Sequence, residues 1–392
     1  MKVLFVAPYI GDTYGGTSKV VKEVAQALGQ QGISLDLITT DANGNTKLDT
    51  ETYTWLNTSS YRVCHFPCWH KNDLVISPAL GNFLVQHGHE YDLVHTHTLF
   101  SPTLSFVNWL CNLRKIPYVI TPHGMLEPWA LAYKAGKKRH YYSFIEKPIL
   151  CSASLIQALV TSEAINIQQL ITNAQVHVVP NGIDQCEYIH LPSTEVFYNQ
   201  YPNLLGKTLI LFLGRIDPKK GLDLLAPAFA QTHQQFPETH LVVAGPDGIG
   251  FMPTALSYFQ RVGCLEAVTF TGMITGDLKR SALAASRLYV APSYSEGFSM
   301  SILEAMASGL PCIITQQCNF PEAAKAKAAY VIDTNVDALA ETLLQCLHHP
   351  VDAKETGRRA RDLILEQYTW DVIAKQLVDI YKSIIERHAN NR

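Results

Sequence analysis

No D-x-D occurs among the 392 residues, so the paired-carboxylate clamp for a metal-bound diphosphate is missing. Neither G-x-G-x-x-G nor G-x-x-x-x-G-K-[ST] occurs, which excludes the dinucleotide fingerprint and the P-loop. No apolar run approaches the ~18 residues needed to cross a bilayer. Neither sign of charge dominates: 31 Lys and Arg face 34 Asp and Glu, a net charge of -3, whereas a general nucleic-acid binder is clearly basic. Nine cysteines occur without paired spacing, the pattern of reduced, mostly buried thiols in a cytoplasmic protein. Cys64, His65, Cys68 and His70 crowd together, but no second ligand pair follows at zinc spacing. They read as strand and loop residues, with metal binding the lesser alternative. The opening Met1-Lys2-Val3-Leu4-Phe5-Val6-Ala7-Pro8 is too short for a signal peptide and reads as a first strand.

What is present is apolar and periodic. Hydrophobic residues make up 47% of the chain, enough for more than one core at this length. Short runs rich in Val, Ile and Leu predict strands over 3–7, 34–39, 92–96, 118–121 and 176–179. After an irregular stretch over 181–206 they resume over 208–213, 240–244, 268–271, 288–291 and 312–315. Amphipathic stretches such as 17–31 and 102–115 lie between them. Near-continuous apolar strands alternating with helices predict parallel sheets covered on both faces. The expected fold is therefore α/β, with two doubly wound, Rossmann-like domains facing across a cleft. The boundaries fall at 1–185 and 186–370, and a helix over 371–392 is expected to pack back on the first domain. Ligands in such sheets sit at the carboxyl ends of strands, at the topological switch point.

Three loops fall at such ends. Gly15-Gly16 follows the first strand and opens a helix. Paired glycines admit a ligand close to backbone, and the helix start offers N–H groups to an anion, although an ordinary turn also fits. Gly214-Arg215-Ile216-Asp217-Pro218-Lys219-Lys220-Gly221 ends the strand over 208–213 and places cations where a phosphate would lie; a solvated turn is the alternative. The third is Pro292-Ser293-Tyr294-Ser295-Glu296-Gly297-Phe298-Ser299-Met300-Ser301-Ile302-Leu303-Glu304. Here Glu296 falls in a strand-to-helix loop and Glu304 in the first turn of a helix starting near Ser301. Ser301-x-x-Glu304 also fits a capping box.

Taken together, these residues resemble the retaining GT-B glycosyltransferases of family 4 nearly end to end. The matching positions are Gly15-Gly16, the Asp92-Leu93-Val94-His95-Thr96-His97 strand, Thr121-Pro122-His123-Gly124, Pro180-Asn181-Gly182-Ile183-Asp184, Gly214-Arg215 with Lys220-Gly221, and Glu296-x7-Glu304 with Ala305-Met306-Ala307-x-Gly309-x-Pro311. The last is similar to the family's E-x7-E motif. The run from Thr121 to Leu131, and Cys318-Asn319-Phe320-Pro321-Glu322, look like the subgroup that builds exopolysaccharide.

The resemblance implies roles. Arg215 and Lys220 would hold the donor diphosphate, Glu304 the ribose hydroxyls, and Glu296 the donor sugar, near Gly297, Phe298, Ser299, Met300 and Ser301. Ser299 stands where the family often has glycine. Gly15 and Gly16 would pass close to the diphosphate, and His123 would touch the transferring sugar or the acceptor. Gly214 would also belong to the donor site, and Gly245, Gly272 and Met273 would border the base. His123, Glu296, Arg215 and Lys220 form the expected catalytic set. With D-x-D missing, the diphosphate would be neutralised by cations and helix N-termini without metal, and no cofactor is expected beyond the nucleotide-sugar co-substrate.

The implied activity is retaining transfer of a hexose, from UDP-glucose first and a GDP-sugar second, to a glycan or lipid-linked sugar in exopolysaccharide or cell-envelope synthesis. A non-catalytic relative acting as a binding or assembly partner is the alternative. Lys134, Lys137, Lys138, Arg139 and Lys147, among Tyr141, Tyr142 and Phe144, suit peripheral contact with an anionic membrane; a solvated helix face is the plainer alternative. The expected location is cytoplasmic, with such contact at the cytoplasmic membrane face. No nucleic acid is expected as a partner.

Overall fold

The computed structural model describes residues 1–71, 74–132 and 135–390. It divides into two compact units, Met1–Gly182 with Trp370–Arg392, and Ile183–Thr369. Each is a mainly parallel sheet with helices, so the α/β expectation holds for both.

In the first unit the parallel strands are β1 (Lys2–Val6), β2 (Ser34–Thr40), β3 (Arg62–Phe66), β4 (Leu93–His97), β5 (Tyr118–Thr121), β6 (Leu155–Ala158) and β7 (Val176–Val178). Their order is β7-β6-β5-β4-β1-β2-β3, with an antiparallel edge strand, Trp55–Asn57, beyond β3. The chain reverses its direction of growth between β1 and β4, so the switch point lies at their carboxyl ends. The central strands are buried on both faces, which is why their sequences are apolar without alternation. β3 and β6 were not foreseen. β3 carries Arg62 because Asp36 of β2 is its register partner: Nε and Nη2 of Arg62 donate to the two carboxylate oxygens at 2.8 and 2.6 Å. The strand thus hides a charge pair inside an apolar pattern.

The helices that matter below are α1 (Gly16–Gln30), α2 (Pro78–His87), α3 (Pro102–Leu113) and α4 (Thr161–Leu170). In the second unit the strands are β8 (Thr208–Leu213), β9 (Thr239–Ala244), β10 (Val268–Gly272), β11 (Leu288–Ala291), β12 (Cys312–Thr315) and β13 (Tyr330–Ile332). Their order, β10-β9-β8-β11-β12-β13, is that of a dinucleotide-binding sheet, with its switch point between β8 and β11. Helices α5 (Leu222–Gln235), α6 (Gly276–Ala285) and α7 (Met300–Ala307) follow β8, β10 and β11.

The last helix, α8 (Trp370–Asn390), packs on α1. It buries Ile373, Leu377, Tyr381 and Ile384 at helical spacing, and Trp370 Nε1 donates to Glu23 at 2.8 Å. Its Tyr381 enters a chain of hydrogen bonds whose direction is fixed from the far end. The Val179 carbonyl only accepts, so Gln157 donates to it through Nε2 at 2.9 Å. Gln157 Oε1 then accepts from the Thr121 hydroxyl at 3.0 Å, and Thr121 accepts from His95 Nε2 at 2.7 Å. That leaves His95 Nδ1 a lone pair, filled by the Tyr381 hydroxyl at 2.5 Å. Both residues are fully buried. Tyr381→Phe is therefore expected to cost about 1–3 kcal/mol, the cost of an orphaned buried acceptor, read as faster hydrogen exchange along α8 and a lower unfolding midpoint.

None of the nine cysteines is in a disulfide; seven are buried, and Cys151 and Cys186 are exposed. Cys68 Sγ lies 3.1 Å from Asp41 Oδ1 and 3.7 Å from His70 Nδ1, and burial pushes its thiol up to about 11. Asp41 is tied in turn to Lys47 at 2.8 Å. Cys64 and His65 lie on β3 and Cys68 in the loop beyond it. Among the described residues no three such groups converge as a metal site.

Candidate active site

The loops after β8 and β11 leave the switch point of the second unit side by side. Tyr294 N–H donates to the Lys219 carbonyl at 2.7 Å. Gly221 sits at φ 72°, and a Cβ there would fall 2.0 Å from the Pro292 carbonyl oxygen, so only glycine allows this approach. The approach delivers Lys220 to Glu296. The ammonium lies 2.5 Å from Oε1, and the side chains are only 11% and 7% exposed. Ser293 Oγ donates to the same oxygen at 2.7 Å, and Asn319 Nδ2 holds the Glu296 carbonyl at 2.7 Å. Burial alone would raise the Glu296 carboxyl. Lys220, with Lys219 and Ser293, outweighs it and holds the group below the usual carboxylate range, so it is ionised at neutral pH.

Around this pair the charge is mostly positive. Arg215 is largely exposed, and its guanidinium lies 3.6 Å from Asp217. Lys219 is half-buried. Burial first, then the neighbouring cations Lys220 and Arg215, pull its ammonium below the usual lysine range. Three cations thus stand against Asp217 and Glu296, which suits an added anion. Gly214 lies against Lys220, with an imagined Cβ 3.6 Å from Nζ. Gly245 and Gly272 lie beside it at the ends of β9 and β10: a Cβ on Gly245 would strike the Gly214 carbonyl oxygen at 1.8 Å, and Gly245 N–H donates to the Gly272 carbonyl at 2.8 Å. Met273, next in the chain, is 54% exposed.

Glu304 is placed differently from the expectation. Helix α7 begins at Met300, so Glu304 is its fifth residue and lies beyond the first turn. The capping box is not formed. The N-cap is Ser299 with no side-chain cap bond, and Ser301 Oγ instead accepts from the Tyr289 hydroxyl at 2.9 Å. Glu304 is buried and receives Lys279 Nζ of α6 at 2.7 Å. The sequence offered no signal for Lys279, because its partner sits 25 residues away on another helix. Gly297 and Ser299 precede the α7 N-terminus, with Ser299 Oγ 3.1 Å from Ser301 Oγ, but the Phe298 ring turns inward onto Phe320 and Tyr368.

Gly15, Gly16 and His123 lie in the first unit, the glycines after β1 at the switch between β1 and β4, and His123 at the end of β5 beside β4. Gly15 caps α1 with φ 69°, and a Cβ on either glycine would meet nothing within 4 Å, so packing alone does not explain the pair. His123 follows β5 at φ 52°, and its Nε2 is 3.2 Å from His97 Nδ1. Burial pushes His123 down to about 4, His95 to about 3 and His97 well below its ordinary value, so all three are neutral at pH 7. His97 Nε2 has no hydrogen-bond partner among the described residues. The turn after His123 is fixed by Glu163, which accepts from the N–H groups of Gly124 and Leu159 at 2.7 Å each and is itself raised to about 7 by burial. Glu127 is buried, with Oε2 held by Asn166 at 2.9 Å.

The comparisons with known proteins follow this division. The model of Glycosyltransferase Family 4 matches residues 14–185, and that of Glycosyl transferases group 1 matches 195–363. The D-inositol 3-phosphate glycosyltransferase of Corynebacterium urealyticum is 28% identical over 77% of this chain and 74% of its own length. Sucrose-phosphate synthase of Thermosynechococcus elongatus superposes with a TM-score of 0.79 at 21% identity, over 99% of this chain and 100% of that one. HepE of Anabaena, solved in complex with UDP and glucose, gives 0.77 at 18% identity, over 98% and 100%. With glycosyltransferase models over both halves and glycosyltransferases as relatives along most of its length, this chain is a hexosyltransferase of the two-domain GT-B fold.

Proposed function

We propose that the protein transfers a hexose, glucose from UDP-glucose before any GDP-sugar, with retention of anomeric configuration and without a metal, to a sugar acceptor in exopolysaccharide or cell-envelope synthesis. The observation that carries this is the Lys220–Glu296 pair set among Arg215 and Lys219 at the switch point of the second unit. A departing diphosphate would meet these cations and the N-terminus of α7, which supply fixed positive potential where charge develops. Glu296, already ionised, would accept hydrogen bonds from the sugar, and Glu304 from the ribose. The bond from C1 to the diphosphate oxygen breaks as the acceptor oxygen bonds C1 on the same face, and the acceptor proton passes to a phosphate oxygen. HepE, a structural neighbour crystallised with UDP-glucose, supports the donor choice. The curated relative acting on an inositol phosphate leaves the acceptor class broad.

A thermal-shift panel of UDP, GDP, ADP and their sugars tests this. UDP and UDP-glucose are expected to raise the melting temperature, by the equivalent of about 2.7 kcal/mol at a hundredfold excess over Kd, with no change on adding EDTA. A shift confined to GDP would overturn the donor, and one abolished by EDTA the metal-free site. Transfer from UDP-glucose should yield an α-linked product by NMR; a β-linked one would overturn retention.

A further inference from the structure

We infer that the exposed face of α3, together with the segment beside it, seats this protein on an anionic lipid bilayer. An ordinary surface helix turns polar residues outward. Helix α3 instead exposes Phe106, Trp109 and Leu113, at 41%, 50% and 63%, on one stripe at helical spacing. Phe106 and Trp109 lie ring to ring at 5.8 Å. A single exposed apolar side chain is ordinary, but this stripe has neighbours. Tyr141 and Glu146 bracket Ser105 Oγ, at 2.8 and 2.9 Å, which ties the π-helical turn Tyr142–Glu146 to α3 one turn before Trp109. That turn exposes Phe144 at 78% and Ile145. On the other side α2 packs against α3; it exposes Val85, whose carbonyl accepts from Arg114.

Charge decides the occupant. Between residues 102 and 162 the sequence holds seven Lys and Arg but two acids, Glu127 and Glu146, in a chain whose overall charge is -3. Both acids are buried and hydrogen-bonded inside the unit, so they do not offset the cations at the surface. Arg114 at the end of α3, and Arg139 and Lys147 on either side of the π-helical turn in sequence, are exposed. Lys134, and the side chains of Lys137 and Lys138, lie outside the described residues. Aromatic and aliphatic groups beside exposed cations suit the boundary between acyl chains and anionic headgroups. The contact thus centres on α3, and Lys147, which opens a helix packed against α3, adds to its rim.

The test is flotation of the intact protein, without nucleotide, on vesicles of phosphatidylcholine alone and with phosphatidylglycerol added. Its outcome is independent of the donor assignment. Binding is expected only to the anionic vesicles and to weaken with salt. It should fall about tenfold in the Trp109→Ser/Leu113→Ser double variant and about fivefold for each of Arg114→Glu and Lys147→Glu, with melting temperatures like the wild type. Absence of binding to anionic vesicles at low salt would overturn the inference, as would binding that all these variants leave unchanged. Self-association lost in the Trp109/Leu113 variant, with no lipid binding, would assign the face to a second copy instead.

Discussion

Replacing Lys220 by alanine is expected to lower kcat/KM with UDP-glucose by about 10²–10³, the usual effect of losing one well-placed electrostatic donor. Stability should fall as well, because Glu296 would be left as a buried carboxylate without its ion-pair partner, held only by the Ser293 hydroxyl and the more distant charge of Lys219. The two effects separate in a second variant. Lys220→Ala/Glu296→Gln removes the stranded charge and should recover most of the melting temperature while activity stays low. Arg215→Ala should lose activity by a similar factor with little change in stability, since its guanidinium is exposed and its nearest carboxylate is 3.6 Å away. Turnover near wild type in Lys220→Ala would remove the pair from the chemistry.

Mild acid is expected to loosen the first unit before the second. His95, His97 and His123 have their pKa values lowered by burial, to about 3, well below normal and about 4. Between about pH 6.5 and 4 the unfolded chain binds protons at these sites and the folded one does not. Stability is therefore full above pH 6.5 and falls with pH at about 1.4 kcal/mol per unit for each imidazole. Glu163, raised to about 7, acts in the opposite sense and offsets roughly one of the three, with Glu127 and Glu146 also opposing and His65 adding to the loss. The net is a loss of roughly 1–3 kcal/mol per pH unit, against a total of about 5–15 for a typical domain. In the second unit His240, lowered to about 4, makes one such contribution. Glu296, whose pKa is depressed, keeps its contribution until the pH drops below about 4.5. Hydrogen exchange at pH 5.5 and 7.5, resolved by unit, checks this. Equal loss of protection in both units would refute it, and His97→Asn should flatten the slope.

Strands were legible where they are buried on both faces, because such strands are simply apolar: 118–121, 208–213, 288–291 and 312–315 match the structure residue for residue. β6 was hidden because Gln157 interrupts it, and that amide is present to relay the hydrogen bonds that end at Val179. β13 is three residues long, too short to show a period. At the site, the sequence placed Gly214, Arg215, Lys220 and Glu296 at strand ends, but that Lys220 meets Glu296 across 76 residues follows only from two loops sharing one switch point. Glu304 was visible as an acid near a helix start, yet its partner Lys279 was not, since nothing local links them. The inward turn of Phe298 depends on Phe320 and Tyr368, both distant in sequence.

The distribution of thiols has a practical consequence. Of nine cysteines only Cys151 and Cys186 are exposed, and one belongs to each unit. A maleimide dye pair on the native chain would therefore report the separation of the halves by energy transfer, with no engineered attachment point and no background from the buried sulfurs. Adding donor nucleotide to such a doubly labelled sample would show directly whether the enzyme changes its span during a catalytic cycle.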